Sequence, residues 1–127
     1  MTLSRILIID DEPGFTRLLK WLLVTRLKKY EVCEVNDPLQ ALESARKFKP
    51  DLILMDTIMP AIDGFALTEQ FRAETEFGKV PIIIMESFGW PRQTIHSFLT
   101  MNGYPYLTKP VSQEFLVACI EHYLSQA

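Results

Sequence analysis

Asp10-Asp11, Asp56 and Lys109 are the residues of this chain best suited to chemistry, and each stands at or just past the end of a short apolar run. If those runs are parallel strands of one sheet, three carboxylates and one ammonium meet at a single edge. Two carboxylates ~4 Å apart repel by about 4 kcal/mol at an effective dielectric of about 20. Such a group needs an offset: a proton, a lysine or a divalent cation. Lys109 supplies one positive charge. An all-oxygen pocket with acid to spare suits a hard ion such as Mg²⁺, which takes a few carboxylates and keeps water. Each residue alone has a plainer use, Asp10-Asp11 as a helix-capping turn before Pro13 and Asp56 as a turn before Met59-Pro60. Four charged groups at three strand ends go beyond those uses.

The elements that must position them are legible as alternating patterns. Residues 5–9, 30–35, 52–55 and 80–85 have strand character, and 105–107 more weakly so. Ile6-Leu7-Ile8-Ile9 and Ile82-Ile83-Ile84-Met85 are apolar throughout, as expected of parallel strands covered on both faces. Helical spacing appears between them. The stripes are Phe15, Leu18, Leu19, Leu22, Leu23 and Leu27; Ala41, Leu42, Ala45 and Phe48; Leu67 and Phe71; Ile95, Phe98 and Leu99. Leu116, Cys119, Ile120, Tyr123 and Leu124 form the last. Pro13, Pro38 and Pro91 stand where helices would begin, and Pro50 between the second helix and the third strand. Asp63-Gly64 and Asn102-Gly103 read as turns or caps, and Ser112 as the cap of the last helix. Five such units predict a doubly wound α/β fold, a five-stranded parallel sheet with five helices on its two faces. Right-handed crossovers place the strand ends on one edge, where ligands bind.

The 127 residues suffice for one domain, residues 1–127. Thirteen basic against sixteen acidic residues give a formal charge of −3, which argues against a nucleic-acid binder. No apolar run approaches the ~20 residues that a membrane span needs, and the N-terminus lacks a signal-peptide core. Cys33 and Cys119 are far apart and outside metal-ligand spacing, and read as small buried hydrophobes. The expectation is a reduced, cytoplasmic domain. His96 and His122 have no ligand partners at suitable spacing and read as surface residues.

Three segments carry a more specific resemblance. They are Ile6-Leu7-Ile8-Ile9-Asp10-Asp11-Glu12-Pro13; Asp51 to Asp56 continuing to Met59-Pro60 and Asp63-Gly64; and Tyr106-Leu107-Thr108-Lys109-Pro110. In order and separation they resemble the receiver domain of two-component response regulators, over nearly the whole chain. The resemblance implies a flavodoxin-like strand order 2-1-3-4-5. It implies Asp56 as the phosphoacceptor, attacking a phosphohistidine of a histidine kinase or histidine phosphotransfer protein, or a small phosphodonor. It further implies Mg²⁺ held by Asp10, Asp11, Asp56 and the backbone carbonyl of Ile58, with Lys109 pairing with the phosphoryl group. The Lys109-Pro110 bond is expected to be cis, aiming the lysine inward. Phosphoryl transfer of this kind rests mainly on positioning and charge neutralisation.

The chain departs from that family's pattern where the fourth strand ends. The usual Thr or Ser is replaced by Glu86, with Ser87 next to it. An ionised glutamate cannot donate a hydrogen bond and adds negative charge, so altered switching or impaired phosphorylation is expected. Glu86 can turn outward, pair with Lys109 or join the metal shell, and a one-residue bulge would let Ser87 serve. The two positions that tune hydrolysis in the family are Ile58 and Phe88, both apolar, which predicts a long-lived phosphoaspartate. Tyr106 matches the family's switch aromatic. Together with Trp90 and Tyr104 it forms a candidate partner face for an unknown downstream protein, while Phe98 belongs to the core.

The leading reading is therefore a phosphoacceptor signalling domain rather than an enzyme with a separate substrate. Its alternative is a pseudo-receiver, an interaction module without phosphotransfer. A small Mg²⁺-dependent phosphohydrolase is remote, because Thr57-Ile58 supplies no second acid or base. A flavin binder is disfavoured by the acidic Asp10-Asp11-Glu12 loop, which would repel a phosphate. Dimerisation through the last two helices is left open.

Overall fold

A computed structural model describes residues 3–86, 100–101, 104–109 and 112–126. Ser87, Phe88, Trp90, the expected helix of Ile95, Phe98 and Leu99 with its neighbour His96, the Asn102-Gly103 turn and Pro110 lie outside the described residues, as does the side chain of Glu86.

The strands are β1 (Ser4–Ile9), β2 (Tyr30–Val35), β3 (Leu52–Asp56), β4 (Ile82–Glu86), β5 (Thr100–Met101) and β6 (Tyr104–Thr108). Five of them are parallel, in the order β2-β1-β3-β4-β6, which is the expected 2-1-3-4-5 when the parallel strands alone are counted. The sequence reading did not include β5, a two-residue strand that adds an antiparallel edge against β6. The helices are α1 (Pro13–Lys20), α2 (Ala41–Phe48), α3 (Gly64–Ala73) and α4 (Gln113–Gln126).

Side-chain alternation along the strands divides the core in two. Ile6, Ile8, Leu52, Leu54, Ile83, Met85 and Leu107 face one way, against Leu19, Leu23 and the α4 residues Phe115, Leu116, Cys119 and Ile120. Leu7, Ile9, Ile53, Met55, Ile82, Ile84 and Tyr106 face the other way, against Ala41, Ala45, Leu67 and Phe71. Burial on both faces explains why the central strands carry no polar alternation. Ser112 caps α4 as expected, its Oγ accepting from the Phe115 N–H at 3.1 Å. Cys119 is buried, which pushes its thiol up to about 12, and Cys33 is half-buried.

Three local expectations change. Leu18 does not join the buried stripe and is 60% exposed, as is Trp21 at 49%. Leu19 and Leu23, four residues apart, take the line that meets the sheet, and Leu18 lies about 100° round the helix from Leu19. Beyond Lys20 the chain widens into a π-helix, Trp21–Arg26, closed by the Leu27 N–H on the Leu22 carbonyl at 3.0 Å. Pro38 opens a 3₁₀ turn, Pro38–Gln40, rather than α2 itself. The fourth strand starts at Ile82, not Val80. Pro81 has no N–H to give a ladder, and the Val80 carbonyl is already taken by the Arg72 guanidinium at 2.8 Å.

Candidate functional site

The register of the sheet builds the site. Ile9 pairs with Met55, so one step further brings Asp10 beside Asp56. Glu86 pairs with Thr108, which sets Lys109 just past the same edge. One carboxylate oxygen from each of Asp10, Asp11 and Asp56 lies within 4.8 Å of the others, the convergence expected from the sequence. Asp10 and Asp56 are buried and Asp11 is half-exposed.

Lys109 is 10% exposed and reaches into this group. Its Nζ donates to Asp10 Oδ2 at 2.5 Å and stands 3.8 Å from Asp56 Oδ1 and 3.9 Å from Glu12. The ammonium also lies over the Phe15 ring, 4.2 Å from its centroid, so an aromatic wall backs the cation. One cation cannot balance three anions. Asp56 shows the imbalance: burial, then the neighbouring Asp10 carboxylate, push its pKa up to about 6. Lys109 and the Ile58 N–H, which hydrogen-bonds the carboxylate, pull the other way, and Asp11 adds to the rise. Asp56 Oδ1 is buried with no hydrogen-bond partner among the described residues. A buried carboxylate oxygen left in that state is costly unless something binds it. A donor set of three carboxylates, one of them with this oxygen free of hydrogen bonds among the described residues, fits a hard divalent cation.

The loop after β3 is shaped by one glycine. Asp63 caps α3 through its Oδ1, which accepts from the Phe65 N–H at 3.1 Å. The Gly64 N–H donates to the Thr57 carbonyl at 2.9 Å. A Cβ on Gly64 would lie 2.2 Å from the Asp56 carbonyl oxygen and 2.6 Å from Thr57 Cα. Only glycine lets α3 start this close to the acceptor strand. The sequence marked Asp63-Gly64 as a turn, and the steric reason appears only once the strand is in place.

The remaining expected residues scatter. Ile58 is 52% exposed, on the rim. Tyr106 is buried in the core against Ile84's face of the sheet, so the expected partner face does not include it as an exposed residue. It sits on a central strand between β4 and β5, where its ring has the sheet and α3 side of the core to fill. Tyr104 is half-buried beneath the Arg72 guanidinium, 5.4 Å from its ring centroid. Sequence reasoning missed Thr16, Glu34 and Asn36, buried or half-buried polar residues behind the first loop. Their only sequence signal is polarity at positions next to apolar core residues.

The comparisons agree with this geometry. The family model of the response regulator receiver domain matches residues 6–121. Protein PilH of Pseudomonas aeruginosa is 31% identical over 123 residues, covering 97% of this chain and 99% of PilH. The DNA-binding dual master transcriptional regulator RpaA of Synechocystis is 30% identical over 116 residues, covering 91% of this chain and 47% of RpaA. The chain likewise spans about half or less of several other curated relatives. Among solved structures, the receiver domain of the sensor histidine kinase PA1611 of Pseudomonas aeruginosa is 28% identical with a TM-score of 0.79. It covers 98% of this chain and 99% of that one, and was solved with a magnesium ion coordinated in its active-site cleft. The chain belongs to the response regulator receiver domain family of two-component signalling. No helix among the described residues is long and apolar enough to cross a membrane.

Proposed function

We propose that this receiver domain accepts a phosphoryl group on Asp56 in a Mg²⁺-dependent reaction and signals through protein contacts. The observation that carries the reading is the buried Asp56 Oδ1, without a hydrogen-bond partner among the described residues, grouped with two further carboxylates and 3.8 Å from the Lys109 ammonium. Asp10, Asp11, Asp56 and the Ile58 carbonyl would hold the ion, which supplies neutralisation of charge on the phosphoryl oxygens.

Asp56 is the nucleophile. Its carboxylate forms a P–O bond as the bond from phosphorus to the donor breaks, and the donor imidazole, or the carboxylate of a small phosphodonor, leaves with the electron pair. The Ile58 N–H holds the Asp56 carboxylate in orientation. Lys109, now on Asp10, is within reach of the acceptor and pairs with the incoming phosphoryl oxygens. The donor is a histidine kinase or a histidine phosphotransfer protein, and the exposed Leu18 and Trp21 on the helix that starts at the pocket rim suit such a protein contact. The reaction takes place in the cytoplasm, the domain promotes only its own modification, and the output is a downstream protein.

Glu86 occupies the strand-end position where the family has a hydroxyl, and its backbone pairs with Thr108. Altered switching follows from that replacement. Ile58 is exposed rather than packed into its loop, which favours a role in shielding the phosphoryl group from water over a role in loop packing. The test is intact-mass measurement after incubation with a small phosphodonor. One phosphoryl group is expected in wild type with Mg²⁺, and none without Mg²⁺ or in Asp56→Asn. An unmodified wild-type protein in Mg²⁺ would instead favour an interaction module without phosphotransfer. Decay of the modified protein is expected to be faster in Ile58→Asn than in wild type.

A further inference from the structure

Behind the first loop of the pocket lies a polar relay that the roles above do not use. The Asn36 Nδ2 donates to the Asp10 backbone carbonyl at 2.8 Å and to Thr16 Oγ1 at 3.0 Å. The reversed amide would set its oxygen against the Asp10 carbonyl oxygen, so this orientation is the one the surroundings allow. Thr16 is fully buried. Having accepted from Asn36, its hydroxyl gives its own proton to Glu34 Oε1 at 2.7 Å, a charged acceptor closer than the Pro13 carbonyl at 3.2 Å. Glu34 in turn lies 4.0 Å from the Lys20 ammonium.

The relay ends on the peptide that joins Asp10 to Asp11. Asp10 is held at four points: its N–H donates to the Val35 carbonyl at 3.0 Å, its Oδ1 accepts from the Glu12 N–H at 3.0 Å, its Oδ2 accepts from Lys109 Nζ at 2.5 Å, and Asn36 holds its carbonyl. Asp11 differs, because its carboxylate makes no hydrogen bond or ion pair among the described residues. Its direction is therefore set by the backbone that carries it. The plane of the Asp10–Asp11 peptide decides where the Asp11 side chain leaves the chain.

We infer that Asn36, locked by Thr16, is a positioning residue that fixes the Asp10–Asp11 peptide and so aims Asp11 into the cation pocket. Groups that orient a ligand from behind commonly change metal affinity by 10- to 100-fold when removed, on the order of what is expected here. The inference rests on the Mg²⁺ reading above.

Calorimetric titration of the full chain with Mg²⁺ tests it, alongside urea unfolding of each metal-free variant. Asn36→Leu and Thr16→Val are expected to weaken Mg²⁺ binding about tenfold, and Thr16→Ser to restore it. Tyr30→Phe, which removes a hydrogen bond to Glu121 away from the pocket, is expected to cost stability but leave Mg²⁺ affinity unchanged. Should Asn36→Leu misfold, the Thr16→Val and Thr16→Ser pair decides alone. Wild-type affinity in folded Asn36→Leu and Thr16→Val would overturn the positioning role while leaving the Mg²⁺ site standing. A wild-type protein that bound no Mg²⁺ would overturn both.

Discussion

At the edge where the strands end, Asp10, Asp11 and Asp56 gather around one buried ammonium, Lys109, which pairs with Asp10 and Asp56; at the edge where they begin, charges come in pairs. There Arg46 binds Glu74, Lys49 lies 3.0 Å from Glu76, and Arg5 lies 3.7 Å from Glu31. The paired groups are largely exposed, whereas Asp10 and Asp56 are 1% and 2% exposed. The first edge thus holds uncompensated charge in a place where water cannot screen it, and the second holds compensated charge in water. Stability alone favours the second arrangement. The first makes sense as a site built for a missing positive charge.

Four substitutions test that contrast. Lys109→Met removes the one cation from the buried group, and should destabilise the metal-free protein by about 3 kcal/mol at neutral pH. Urea unfolding measures the loss, and saturating Mg²⁺ should recover much of it. Gly64→Ala drives a Cβ into the Asp56 carbonyl and should cost about 2–3 kcal/mol, with no recovery by Mg²⁺ because the clash is steric.

Asp56→Asn should have the opposite sign. The folded-state pKa of Asp56 is raised from 3.8 to about 6, so the folded protein holds this proton more tightly than the unfolded chain. The contribution to stability is present below about pH 4 and is lost as pH rises through about 6. Above that range the ionised carboxylate is a liability, and Asp56→Asn should stabilise the metal-free protein by about 1–2 kcal/mol. Thermal unfolding across pH should show the gain vanish toward pH 4. An equal gain at both ends would mean that charge is not its cause. Smallest of all, Lys49→Ala at the paired edge should change stability by about 0.5 kcal/mol or less, with no response to Mg²⁺.

Much of this was legible in the sequence, for a reason that differs between elements. Continuous apolar runs mark strands covered on both faces, and the parallel order then forces Asp10, Asp56 and Lys109 to one edge. The α1 stripe was less legible, because Leu18 and Leu19 have the same hydropathy and only the sheet decides which one faces it. Tyr106, a candidate for the partner face, is buried, which was illegible for a similar reason: an aromatic in the middle of a strand has no sequence mark of which face it takes. The two-residue β5 lay below what a periodicity can reveal. Thr16, Glu34 and Asn36 were invisible as a group, since a residue of α1 and two at the end of β2 become a relay only when α1 packs beside β2.

Residue types and their order along the chain determined the class of the protein: alternating apolar segments, with acids after the first and third strands and a lysine after the fifth parallel one. Those features depend on local hydrophobic patterning and chain topology, which a sequence states directly. The tertiary structure decided which acid is held and which is left waiting. Lys109 closes on Asp10 and stays 3.8 Å from Asp56 Oδ1, which is buried with no hydrogen-bond partner among the described residues. Side-chain reach and exclusion of water settle that outcome, and both exist only after the strands have packed.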